Sequence, residues 1–204
     1  MMGKSLAEMT AEIRQINIDH GWRPADGGPG DRTFGDFIAL LHSEVSEALE
    51  AYRDHRLADA TKPICGNEGH TGNPCPEHGM GKPEGAGSEL ADVLIRLLDM
   101  CDVFGVVPFD MDCELADVEP MGAVFLKEDG FGALMSCLHE AITDAYRLVP
   151  PVKPYLSWSG APFAKVLRLL VRVSEECGVD LTAEVERKMA YNRTRPFRHG
   201  GRNL

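Results

Sequence analysis

Apolar residues recur at intervals of three and four along most of this chain, and strand-like alternation is nowhere sustained. The pattern predicts a first helix from about Leu6 to His20, carried by Met9, Ile13 and Ile16 and ended by the Pro24 to Gly30 stretch. The strongest segment runs from Phe34 to about Arg53. There Phe37, Ile38, Leu41, Val45, Ala48, Leu49 and Tyr52 make one apolar face over about five turns. Ser88 reads as the N-cap of a helix running to about Phe104 through Leu90, Val93, Leu94, Leu97, Leu98 and Cys101. Pro108, Pro120 and Gly122 mark a linker, and further helices are expected from about Phe131 to Leu148, Pro162 to Cys177 and Thr182 to Arg193. The expected fold class is all-α, a helical bundle forming a single domain over residues 1–204.

The two halves of the pattern resemble each other. Phe34-Gly35 with Leu41-His42 recurs as Phe131-Gly132 with Leu138-His139, and Ala48 matches Ala145. Val93-Leu94 through Gly105-Val106 likewise matches Val166-Leu167 through Gly178-Val179 without a gap. The expectation is a duplicated helical hairpin, a pseudo-dimer within the chain, set against the chance likeness that amphipathic helices share. Its chemistry is asymmetric. Glu44, Glu89 and Asp92 align with Ala141, Pro162 and Lys165, and only Glu47 keeps a carboxylate, as Asp144. Residues 1–107 therefore read as the chemically equipped half, residues 58–87 as an irregular insertion within it, and residues 123–204 as a degenerate second half with a basic C-terminal segment.

Composition narrows the classes. A hydrophobic content of 44% over 204 residues supports a globular core. A net charge of -11 argues against nucleic acid as a partner, since such a surface repels a phosphate backbone. No apolar run reaches the roughly 18 residues of a membrane span, and Lys4, Glu8 and Glu12 interrupt any signal-like stretch, so no membrane and a cytoplasmic location are expected. Cys101, Cys137 and Cys177 fall on apolar helix faces and read as reduced core residues.

The carboxylates carry the candidate chemistry. Glu44 and Glu47 are three apart on one expected helix, and Glu89 and Asp92 three apart on the next, so each pair projects from one helical face. Either pair alone is what a solvated face presents. These pairs, however, are interleaved with Val45, Ala48, Leu90, Val93 and Leu94, so they border the apolar seam. Four carboxylates brought together repel unless they share a cation, and a hard divalent ion with oxygen preference fits them. Magnesium is the expected cofactor, with manganese expected to substitute. Glu114 to Asp117 repeats the Glu-Leu-Ala-Asp string, but Pro120 and Gly122 follow it, so a short surface turn is expected there.

Glu44-x-x-Glu47, Glu89-Leu-Ala-Asp92, and Lys188-x-x-x-Asn192 followed by Arg195-Pro196 and His199-Gly200-Gly201 together resemble the MazG-like all-α NTP pyrophosphatases, over residues 10–105 and 180–204. The resemblance implies a helical bundle that binds magnesium through Glu44, Glu47, Glu89 and Asp92 and converts a nucleoside triphosphate to monophosphate and pyrophosphate. It implies phosphate or sugar contacts from Lys188 and Asn192, a place near the base for Tyr191, and a phosphate-side role for Arg195. Glu47 is the candidate to orient or deprotonate the attacking water. Trp22, beside His20 and Arg23, is a candidate to stack on the base, the alternative being a lid on the core. The long separation of the acidic pairs departs from the family. Members of this size usually assemble from separate chains, so the second half is expected to replace a partner subunit, with a homodimer of the whole chain left open. Two other readings stand beside the hydrolase: a narrow dUTP or dCTP pyrophosphatase, and a helical interaction protein with a structural cation.

Within the insertion, Cys65, His70, Cys75 and His78 stand at spacings of five, five and three among glycines and prolines. That set offers four ligands to a structural zinc ion, although the spacing matches no common finger. Metal analysis of protein purified without chelator tests this. About one equivalent of zinc is expected from a closed four-ligand site, and less than about half an equivalent counts against it.

Overall fold

The computed structural model describes residues 3–54, 81–108, 110–122, 130–148 and 160–198, and among these the regular structure is helical throughout. Six helices follow in order: α1 (Leu6–Asp19), α2 (Phe34–Arg53), α3 (Ala86–Val103), α4 (Gly130–Leu148), α5 (Ala161–Cys177) and α6 (Leu181–Asn192). Local chemistry sets most of the ends. Ser5 and Glu8 form a capping box at α1, and Thr33 and Asp36 form another at α2. Asp180 caps α6 by accepting from the Ala183 amide at 3.0 Å. Gly178 closes α5 at φ 67°, a conformation that favours glycine.

Helix α3 begins earlier than its sequence suggests. Gly85, at φ 111°, is the N-cap, and Ser88 lies inside the first turn. The Ser88 hydroxyl is instead engaged by the Lys188 ammonium, which donates to it at 2.9 Å. Residues 86 and 87 therefore belong to α3 rather than to the insertion, whose residues 58–80 lie outside the described residues, Cys65, His70, Cys75 and His78 among them.

α3 is the centre of the structure. It packs on α2, α6, α1 and α5, and Leu90, Ala91, Val93, Leu94, Leu97 and Leu98 are fully buried. α4 lies antiparallel on α2. Phe34 stacks with Tyr146 at one end (5.9 Å between centroids) and Tyr52 with Phe131 at the other (4.2 Å). Phe34 also meets Phe104 and Phe163 edge-on, tying α2 to the ends of α3 and α5. Cys101 is buried, while Cys137 and Cys177 sit at the margin of the core, and none is in a disulfide.

The Glu114 to Asp117 string forms one 3-10 turn, Leu115–Asp117, but it is anchored rather than lying on the surface. Leu115 and Val118 are buried, and the Leu6 and Ala7 amides donate to the carbonyls of Cys113 and Met111 at 2.9 and 2.7 Å. No helix among the described residues is long and apolar enough to cross a membrane.

The central position of α3 makes its apolar side chains the most costly to truncate. Leu94→Ala is expected to lose about 3 kcal/mol of stability. The denaturant midpoint should fall with an unchanged m-value, and a loss under about 1 kcal/mol would show that the site can collapse around the gap.

Candidate metal and nucleotide site

One face of α3 is polar although the helix is central. Glu89, Asp92, Arg96, Asp99 and Asp102 follow at spacings of three and four, and each has a partner outside α3. At the N-terminal end, Lys188 from α6 reaches Asp92 at 2.7 Å and Glu89 at 3.7 Å. Arg96 pairs with Glu44 of α2. At the C-terminal end, Arg23, fully buried, reaches Asp99 at 3.3 Å and Asp102 at 2.7 Å, and Asn17 of α1 donates to Asp99 at 2.7 Å.

Carboxylate oxygens of Glu44, Glu47 and Glu89 lie within 4.8 Å of one another, so two helices deliver three acids to one place. Asp92 stands beside this set, held by Lys188. Glu47 is at the exposed side, where Ser43 donates to it at 3.1 Å. Lys188 and Arg96 pair with three of the four acids, and Lys82 adds its charge beside Glu89. Burial pushes the Glu44 carboxyl up to about 7; Arg96 pulls it down, and the charges of Asp92 and Glu47 push with burial. Burial raises Glu89 too, against the pull of Lys188. Lys188 keeps its proton: burial disfavours the charge, but Asp92 and Glu89 hold its pKa above the ordinary value. Oxygen donors at this spacing fit a hard divalent cation.

The acids line a cavity of about 400 Å³, within the range of small-molecule sites. Its walls carry both signs of charge. Arg32, Lys82, Lys188 and Arg195 line it together with Asn17, Asn192, His20 and Trp22. Trp22 is half-buried and faces the cavity rather than closing the core. Tyr191 does not line the cavity; it carries the Arg195 guanidinium over its ring at 5.5 Å. The other C-terminal arginines have structural partners: Arg187 bonds Glu184, Arg193 pairs with Glu12, and Arg198 donates to the Gly21 carbonyl at 3.0 Å. Arg202 lies outside the described residues.

Sequence reading missed Arg96, Asp99, Arg32 and Lys82. The signal for the first two was present, since both continue the Glu89–Asp92 row along α3 at helical spacing. Arg32 and Lys82 lie in loops, where no periodicity points at a face. Fold and site together define an all-α protein with a carboxylate-lined, mixed-charge cleft. Comparison with family models, curated proteins and solved structures returns no match.

The buried Arg23 supports the far end of the row. Arg23→Met is expected to cost about 3 kcal/mol, because it leaves Asp99 buried without its cation, and chemical denaturation measures it. Asp102 adds a pH signature. Burial opposes its charge, but hydrogen bonds from Arg14 and Arg23 prevail and hold its pKa below the usual carboxylate value. Its contribution is thus complete above about pH 4 and is lost as pH falls through the folded value. The destabilisation by Asp102→Asn should shrink over that window and not above it.

Proposed function

We propose that this chain is a magnesium-dependent nucleoside triphosphate pyrophosphohydrolase of the MazG-like type. The observation that carries the reading is the convergence of Glu44, Glu47 and Glu89 in a cleft that also presents Arg32, Lys82, Lys188, Arg195 and two asparagine amides. Glu44, Glu47 and Glu89 would hold the metal, with Asp92 joining as Lys188 yields it. Bound there, magnesium supplies charge neutralisation and polarisation of phosphate oxygens. The chain's own groups do the rest. Lys188, Lys82, Arg32 and Arg195 offer donors to a polyphosphate, Asn192 and Asn17 offer amide contacts, and Trp22 offers a flat apolar surface to a base. Glu47, at the exposed side, orients a water for in-line attack and takes its proton.

The duplicated-hairpin reading belongs to the same proposal. α2 and α4 pack antiparallel, and His42 meets His139, residues that occupy matching places in the two halves. In the second half, Lys165 and Asp144 occupy the places of Asp92 and Glu47, and they pair with each other at 3.3 Å. That ion pair supports a second copy kept for packing, with one working site per chain.

Incubation with a panel of nucleoside triphosphates and magnesium tests the reading. Monophosphate and pyrophosphate are the expected products, whereas orthophosphate alone, or no product, would reject it. Glu47→Gln and Asp92→Asn should each lower kcat by about a hundredfold or more with helicity unchanged. Full activity in either variant would place the metal elsewhere.

A further inference from the structure

Away from the carboxylate cleft, His42 near the middle of α2 faces His139 near the middle of α4. Their Nδ1 atoms are 2.7 Å apart, and the rings are nearly parallel, 16° between planes with centroids 5.0 Å apart. Neither residue lines the cleft. Two positions along a helix turn it by about 200°, so His42 and Glu44 leave α2 on opposite sides.

Two ring nitrogens this close need a positive centre between them. Facing lone pairs repel, and so do facing N–H groups. A proton meets the need in one tautomeric arrangement, one ring donating and the other accepting. A metal ion is the other centre that imidazole nitrogens share. Zinc–imidazole bonds of about 2.0–2.1 Å set two nitrogens of a tetrahedral ion about 3.3 Å apart, so the rings need to part by about half an ångström and to tilt until both lone pairs turn toward the ion. The frame around them is stiff. Phe34 on Tyr146 and Tyr52 on Phe131 pin α2 to α4 on either side of the pair, so the rings are presented together before any ion arrives. Both side chains are half-buried, which leaves room for water in the remaining coordination positions.

We propose that His42 and His139 form a second metal site, separate from the carboxylate cleft, for a first-row transition-metal dication such as zinc, nickel or copper. Imidazole ligands suit these ions, whereas magnesium prefers oxygen donors, so the two sites select different metals. An ion at this position cross-links α2 to α4, and its binding stabilises the folded chain by mass action.

The test uses the full chain, stripped of metal, in a background carrying His70→Asn and His78→Asn, so that the insertion cannot supply imidazole. Copper(II) added at one equivalent should give an electron paramagnetic resonance spectrum with coupling to two imidazole nitrogens, and nickel titrated calorimetrically should fill a site. His42→Asn and His139→Asn should each remove that same equivalent and the accompanying rise in Tm, with magnesium affinity unchanged. A copper spectrum without two coupled nitrogens overturns the site in the unmutated pair, whatever the variants do. Retention of the nickel equivalent in either variant overturns it as well and leaves the pair a hydrogen bond only. Because every readout is binding of a transition metal, the result is independent of whether pyrophosphate is released from a nucleotide.

Discussion

Charge is buried along one side of α3, the helix on which α1, α2, α5 and α6 all pack. Glu89 and Asp99 are almost inaccessible, and the Lys188 and Arg23 side chains that meet them are inaccessible too. A buried charge without a partner costs several kcal/mol, so each of these groups constrains where another element lies. Lys188 draws α6 onto the start of α3. Arg23 draws the loop after α1 onto its end, and Arg96 with Glu44 couples α3 to α2 midway. The apolar contacts hold the helices together. The ion pairs set how they are turned.

This constraint makes the cleft. Because the polar row needs partners from α1, α2 and α6 and from the loops at residues 20–33 and 81–85, those elements converge on one side of α3. At the α2–α3 junction burial holds the Glu44 carboxyl near neutral against the pull of Arg96.

The helices were legible because amphipathic periodicity and capping chemistry are local. Phe34 to Arg53 was bounded correctly from the apolar stripe alone. Ser88 misled for an instructive reason. A serine before a run of helix formers is a good N-cap, but here a buried lysine one hundred residues away claimed its hydroxyl, and a glycine three positions earlier took the cap. Trp22 could be placed after a helix but not given a direction, and Tyr191, expected near a base, supports Arg195 instead.

What the amino-acid order by itself determined was the class of element, most of the helix ends, and which carboxylates border an apolar seam, because these depend on neighbours three or four residues apart. Which acids actually meet was decided only by the tertiary structure. Glu44, Glu47 and Glu89 converge while Asp92 is claimed by Lys188, since that outcome depends on how α2, α3 and α6 are turned about their axes. The same holds for His42 and His139: a helical pattern places each on a face, but only the packing of α2 on α4 brings their nitrogens to 2.7 Å. Distances between side chains on separate helices follow from the balance of buried charge and ring packing across the whole core, and no local spacing carries that information.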